Sequence, residues 1–208
     1  MRRLAVQIRS PALLEMAIIF CLFLVEVDSI LKKTEDHYIN LKSYYVEFVQ
    51  TDCNKVDGTC QRYIGRVAYK APDKLRLEIE GAENRTDLFD GEWLWTYLPD
   101  EGRLYKQKPT QPLFDLKSLI RDYRERFQCR LIRNTPPYEI EFRPRSGDEG
   151  MSKMKITISK HYLIKKIEIV DPMGNESIFQ FNRFSLNKRL SDKIFKLRLP
   201  KDVEVIEQ

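Results

Sequence analysis

Two stretches decide how this chain is read: DGEWLWTYLP, Asp90–Pro99, and YKAPDKLRLE, Tyr69–Glu78, upstream of it. Each is a short strand pattern beside a turn signal, with Asp90-Gly91 opening one and Pro72 interrupting the other. Neither carries a nucleophile, an acid/base pair or a metal cluster. Both present apolar and aromatic side chains on antiparallel strands, which points to binding an apolar ligand rather than to chemistry.

Outward from these, the same period of two recurs. SYYVEFVQT (43–51) puts Tyr44, Val46, Phe48 and Gln50 on one face and Tyr45, Glu47, Val49 and Thr51 on the other. RYIGRVAYK (62–70) reads as its hairpin partner. KLRLEIEG (74–81) aims Leu75, Leu77 and Ile79 one way, and Thr86–Phe89 leads into the Asp90 turn. Further strands are read at YEIEFRP (138–144), MKITIS (154–159), YLIKKIEIVD (162–171), SIFQFNRFSLN (177–187) and the closing FKLRLPKDVEVI (195–206). Two segments have helical spacing instead. In 29–43, Ile30, Leu31, Thr34, Tyr38 and Leu41 share a face, with Ser29 as N-cap. In 112–127, Leu116, Leu119, Ile120, Tyr123 and Phe127 do so, with Lys117, Arg121, Arg124 and Glu125 outward.

No βαβ alternation occurs, so the fold class is mainly β (α+β). An antiparallel sheet of about ten or eleven strands must curl. Two amphipathic helices need its concave side to bury their apolar faces. An incomplete barrel plugged by a lid of helices satisfies both demands.

The N-terminus bears on the compartment. Arg2, Arg3 and Arg9 precede Met16–Val25, an unbroken apolar run of ten residues. That run is too short for a membrane span and fits the apolar core of a secretory leader. Residues 1–28 are therefore read as a signal peptide and 29–208 as the domain. No A-x-A-like site marks the cleavage point, so an uncleaved anchor is the alternative. Ile18–Phe20, before Cys21, lack the small residue a lipid attachment signal requires.

Cys53 and Cys60 bracket NKVDGT, whose Asp57-Gly58 is a turn signal. They face each other across a hairpin, where a disulfide would add about 2–3 kcal/mol; two small apolar residues at strand ends is the plainer reading. Cys129 is left without a mate. Two cysteines with no CxxC and no nearby histidine make half a zinc ligand set, so no metal or other cofactor is expected.

The chain has 208 residues, 42% hydrophobic and 32% charged, with a net charge of +5. Charges alternate along the strands, as in Arg76–Gly81 and Lys165–Asp171, the pattern of a solvated sheet face. No basic face with stacking aromatics is segregated for nucleic acid. The two histidines, His37 and His161, lack triad partners, and no GxSxG, HExxH or phosphate-cradling glycine loop is present. Carboxylates at i, i+2, such as Glu78/Glu80 and Glu139/Glu141, read as strand faces rather than a glycosidase pair. A non-enzyme is expected.

In order and content, four segments resemble LolA, the family of periplasmic carriers of outer-membrane lipoproteins. Tyr44, Val46, Phe48 and Gln50 match its aromatic–x–apolar–x–F-x-Q strand. Gly65, Pro72, Lys74 and Arg76 match G-x-(apolar) followed by K-x-P-x-K-x-R. Asp90, Gly91, Leu94, Trp95, Tyr97 and Pro99 match D-G-x-x-L-W-x-Y-x-P, the most specific of the four. The tail IFKLRLPKDVEVIEQ resembles the family's ending.

The resemblance implies an unclosed barrel with a helical lid. It also implies acylated lipoproteins as cargo, an inner-membrane ABC transporter as donor, an outer-membrane receptor as acceptor, and a monomer in the periplasm. Tyr44, Val46, Phe48, Leu75, Leu77 and Leu94 become the cavity candidates. Leu31, Tyr38, Leu41, Leu116, Leu119 and Ile120 become the lid's inner face. The family's lid-locking arginine precedes the proline of K-x-P, where this chain has Ala71, leaving Arg66 or Lys70 as stand-ins for a latch. A LolA-like protein for another envelope lipid, or a lipoprotein sensor of a stress response, is the alternative the resemblance allows.

Overall fold

The computed structural model describes residues 26–109, 123–146 and 150–207. Within them the chain forms a helix α1 (26–39), six strands, a short helix α2 (Tyr123–Arg126), six further strands and a 3-10 turn, Asp192–Phe195. The first strands are β1 (Ser43–Cys53), β2 (Cys60–Lys70), β3 (Lys74–Glu80), β4 (Arg85–Phe89), β5 (Leu94–Leu98) and β6 (Arg103–Gln107). After α2 come β7 (Phe127–Arg133), β8 (Tyr138–Pro144), β9 (Lys153–Ile158), β10 (Ile164–Val170), β11 (Glu176–Leu186) and, after the 3-10 turn, β12 (Glu204–Glu207).

All twelve strands belong to one sheet, in the order β12-β6-β5-β4-β3-β2-β1-β11-β10-β9-β8-β7. Among the described residues no ladder joins the two outer strands, β12 and β7, so the sheet curls without closing. Neighbours are antiparallel except β12, which pairs parallel with β6. The long arms β1, β2 and β11 form the middle of the sheet, with β1 flanked by the other two.

The reason for this roll lies in the alternation of side chains. On β1, Tyr44, Val46 and Phe48 face inward and are buried, 1%, 0% and 6% exposed. A Cβ at Gly65, opposite Phe48, would fall 2.0 Å from its ring, so only glycine lets that ring lie across β2. At the Asp90 turn, Gly91 takes φ +108°, while the Asp90 carboxylate accepts from the amides of Glu92 and Trp93. Its other oxygen accepts from the Trp95 indole at 2.9 Å, fixing the DGEWLW segment as one unit.

α1 fills the concave side over β7–β10. Val27, Ile30, Leu31, Thr34, Tyr38 and, just beyond the helix, Leu41 are buried with Ile140, Phe142, Met154, Ile156, Ile158, Ile164 and Ile167. A bulge in β10 leaves the Ile164 amide aimed inward, and it donates to the Tyr38 hydroxyl at 3.0 Å.

Four sequence readings are corrected here. The helix already includes residues 26–28, so Ser29 is not its N-cap. Phe127 ends no helix; it opens β7, where Phe127, Cys129 and Leu131 alternate with polar residues as well as they matched a helical period. Among the described residues the strands number twelve rather than ten or eleven, because β6 and β7 went unread. FKLRLP forms no strand: Phe195 is buried below the 3-10 turn, and only the last residues join the sheet, in parallel.

Candidate lipid-binding cavity

A cavity of about 470 Å³ opens on the concave face of β1–β5 and β10–β11, within the size range typical of ligand pockets. Its apolar part is built by Tyr44 and Phe48 of β1, Leu77 and Ile79 of β3, and Phe179 and Phe181 of β11. Val67, Leu98 and Ile169 complete it. Toward the β1–β2 hairpin the lining becomes polar, with Gln50, Asp52, Tyr63, Glu83 and Arg85. Asp52 accepts from the Gln50 amide at 2.7 Å through one oxygen; its other oxygen is buried and has no hydrogen-bond partner among the described residues. The aromatic floor is ordered: Tyr44 stacks on Tyr69 at 5.1 Å between ring centroids, and Phe48 tilts against Phe179 and Phe181.

Of the cavity candidates, Tyr44, Phe48 and Leu77 lie in this lining. Val46, 0% exposed, and Leu75, 8% exposed, sit inside the packed core instead, so a glutamate at position 75 would be buried rather than bathed in a cavity. Leu94 shares the concave face with Leu98 but lies outside the lining, which Leu98 alone of β5 enters. The aromatics of the Asp90–Pro99 stretch turn away: Trp95 packs with Ala68, Leu88 and Phe195 on the convex face, and Tyr97 points the same way. Sequence reading missed Phe179 and Phe181, because only the pairing of β11 with β1 brings them beside Phe48. Ile79 and Leu98 were within reach of the same period of two that gave Leu77 and Leu94.

Leu31, Tyr38 and Leu41 all pack inward beneath α1; Leu116, Leu119 and Ile120 lie outside the described residues. The latch reading is overturned. Arg66 hydrogen-bonds Glu80 and pairs with Glu78 on the convex face. Lys70 donates to the carbonyl of Leu190 and the carboxylate of Asp192, also outside. Alternation along β2 puts both side chains opposite Val67, away from α1. A different tie holds the helix: Asp28 accepts from the Tyr123 hydroxyl and pairs with Arg124 at 3.0 Å. Burial raises the Asp28 pKa, but these two hydrogen bonds and the charge of Arg124 outweigh it and leave it below the usual carboxylate value.

Cys53 and Cys60 are joined in a disulfide across the first hairpin, and Cys129 is free. Burial, aided by the Asp28 charge, pushes the Cys129 thiol up to about 12, so it stays protonated and unreactive. His37 is half-buried, and burial lowers its pKa. Among the described residues no three histidine, cysteine or carboxylate side chains gather as metal ligands, and no helix is long and apolar enough to cross a membrane.

An unclosed β-barrel half plugged by a helix and half hollowed by an apolar cavity is the architecture of a binding protein. The chain belongs to the LolA family, described as "Outer membrane lipoprotein carrier protein LolA", which matches residues 39–198. It is 23% identical over 175 residues to the outer-membrane lipoprotein carrier protein of Coxiella burnetii (strain CbuK_Q154), covering 81% of this chain and 82% of that one. To the same-named protein of Hahella chejuensis it is 22% identical over 176 residues, covering 81% and 84%. Among solved structures, its fold is similar to that of an uncharacterized conserved protein from Thermus thermophilus, with TM-score 0.60 and 17% identity over 88% of this chain and 99% of that one.

Proposed function

We propose that this protein is a periplasmic chaperone that shelters the acyl chains of lipoproteins and carries them from the inner to the outer membrane. The cavity of about 470 Å³ on the concave face carries this reading. Each methylene removed from water is worth about 0.8 kcal/mol, so a chain of about sixteen carbons does not leave a membrane unaided at a useful rate. Phe48, Leu77, Phe179 and Phe181 supply the apolar surface such a chain needs, and the polar hairpin end suits the glyceryl and peptide parts of an acylated N-terminus. Its function is binding, not catalysis. An inner-membrane ABC transporter would load it, and an outer-membrane receptor would unload it. An export leader, read from the sequence as residues 1–28, would have to end before Val27 for Val27 and Asp28 to keep their packing in α1.

One observation favours a second reading, a LolA-like binder of another envelope lipid or a lipoprotein sensor. Ala71 stands where the family's lid-locking arginine is expected, and Arg66 and Lys70 face the other way. A carrier without that latch opens more freely and depends less on an energised donor.

The test adds the protein to spheroplasts bearing a tagged triacylated lipoprotein and looks for a soluble one-to-one complex. Release of the acylated form, with none for an unacylated control, is expected. Gly65→Val, which drives a side chain into the Phe48 ring, should abolish release. Binding of free fatty acid without lipoprotein release would shift the assignment to the second reading.

A further inference from the structure

A second cavity, about 490 Å³, lies on the opposite, convex face of the same strands. Its floor crosses five neighbouring strands, from Tyr45 on β1 to Tyr97 on β5, and its wall is the C-terminal segment around Lys193–Arg198. Arg76 fastens that wall: its guanidinium donates to the carbonyls of Ile194 and Lys196 at 3.0 and 3.2 Å. Phe195, 6% exposed, anchors it from below, and Lys70 and Lys74 hold Asp192 at its start. The groove is therefore preformed.

Its charge is one-sided. Five cationic side chains, Arg66, Arg76, Lys193, Lys196 and Arg198, line it with one carboxylate, Glu78. Glu78 is already engaged by Arg66 and Arg76. At the margin, Glu80 is taken by Arg66 and Glu47 by Arg183. Lys193, Lys196 and Arg198 make no ion pair among the described residues. Three cations are thus left over on a wall above two tyrosines and the apolar side chains of Ala68, Ile194 and Leu197.

We propose that this groove is a docking site for an acidic, extended peptide segment of a partner protein, with carboxylates on Lys193, Lys196 and Arg198 and an apolar side chain against Tyr45 or Tyr97. Length selects the occupant. Five strands spaced about 4.8 Å apart span about 19 Å, the reach of roughly six extended residues and far more than one phosphate group. A flat anionic membrane cannot follow the groove to its floor beneath the C-terminal segment. The site stands back to back with the lipid cavity: Tyr45, Arg66 and Arg76 alternate with Tyr44, Val67 and Leu77, so a docked partner leaves the concave face uncovered. This placement does not depend on what the concave cavity carries.

The experiment measures binding of a fluorescent octapeptide rich in Asp and Glu with one central Leu, to the full chain and to a Lys196→Glu/Arg198→Glu variant. Both side chains are exposed on the groove's wall and neither belongs to the concave cavity, so circular dichroism and fatty-acid binding should match the parent protein. The parent should bind the acidic peptide saturably, about tenfold or more tightly than the variant, and lose affinity as salt rises. The Asn/Gln version of the peptide should not bind. No saturable binding, equal binding by the variant, or tighter binding of phosphatidylglycerol vesicles or a single-stranded octanucleotide would overturn the proposal. Fatty-acid binding, read in parallel, reports on the concave cavity separately.

Discussion

The two halves of one concave face have opposite fates. Over β7–β10, Ile140, Phe142, Met154, Ile156, Ile158, Ile164 and Ile167 are all 0% exposed beneath α1. Over β2–β5, Leu77, Ile79, Phe89, Leu94 and Leu98 are only half-buried, though they alternate inward by the same rule. The difference is coverage. α1 crosses the first set, while no described helix crosses the second. Among the described residues, the patch that α1 covers is the core that holds the fold, and the other patch lines the cavity on which the proposed function rests.

That comparison breaks first at the packed half. Phe142→Ala should cost about 3–5 kcal/mol, because its ring is fully buried edge-on against Phe127 at 5.8 Å. A loss under about 1 kcal/mol in denaturant titration would mean this half is not the stabilising one. Next, a chain beginning at Ser29 should be less stable by about 2 kcal/mol than one beginning at Glu26, since it lacks the buried Val27 and the Asp28 tie. Equal melting temperatures would detach the first turn of α1 from the core. In the open half, Leu77→Ala should cost no more than about 1 kcal/mol, yet weaken binding of a fluorescent fatty acid several-fold; a large destabilisation with unchanged binding would reverse the roles.

The smallest effect is a pH dependence at the seam. The Asp28 carboxyl is held below its ordinary value in the folded protein, so its contribution is complete above the unfolded pKa of about 3.9 and disappears as pH falls through the lower folded value. Asp28→Asn should therefore lower stability most at neutral pH, where the contribution is fully present, and flatten the acid side of the stability profile below about pH 4. An unchanged acid limb would show that the Asp28–Tyr123–Arg124 tie does not restrain α1.

Legibility followed the range of the interaction. Hairpin partners such as β1–β2 and β4–β5, the Asp90-Gly91 turn and the inward face of α1 were visible because period and turn chemistry are local. The segment 123–127 misled because Tyr123 and Phe127 fit a helical spacing while Phe127, Cys129 and Leu131 fit a strand, and local pattern gives no ranking between them. Arg66 and Lys70 were misplaced as a latch for want of one fact, which face of β2 is inside. The same fact separates Leu77, in the cavity, from Trp95 and Tyr97, outside it.

Taken alone, the sequence determined an antiparallel β fold with an amphipathic N-terminal helix, the hairpin that Cys53 and Cys60 flank, the Asp90 turn and the resemblance to the LolA family. Those depend on side-chain alternation and turn propensities acting over a few residues. Only the tertiary structure decided that β11 lies beside β1, that Phe179 and Phe181 therefore join Phe48 around a cavity, that Val46 and Leu75 belong to the core, and that β12 returns parallel to β6. Those depend on how a twelve-stranded sheet curls and which patch a helix covers, a competition among distant apolar surfaces that no local window contains.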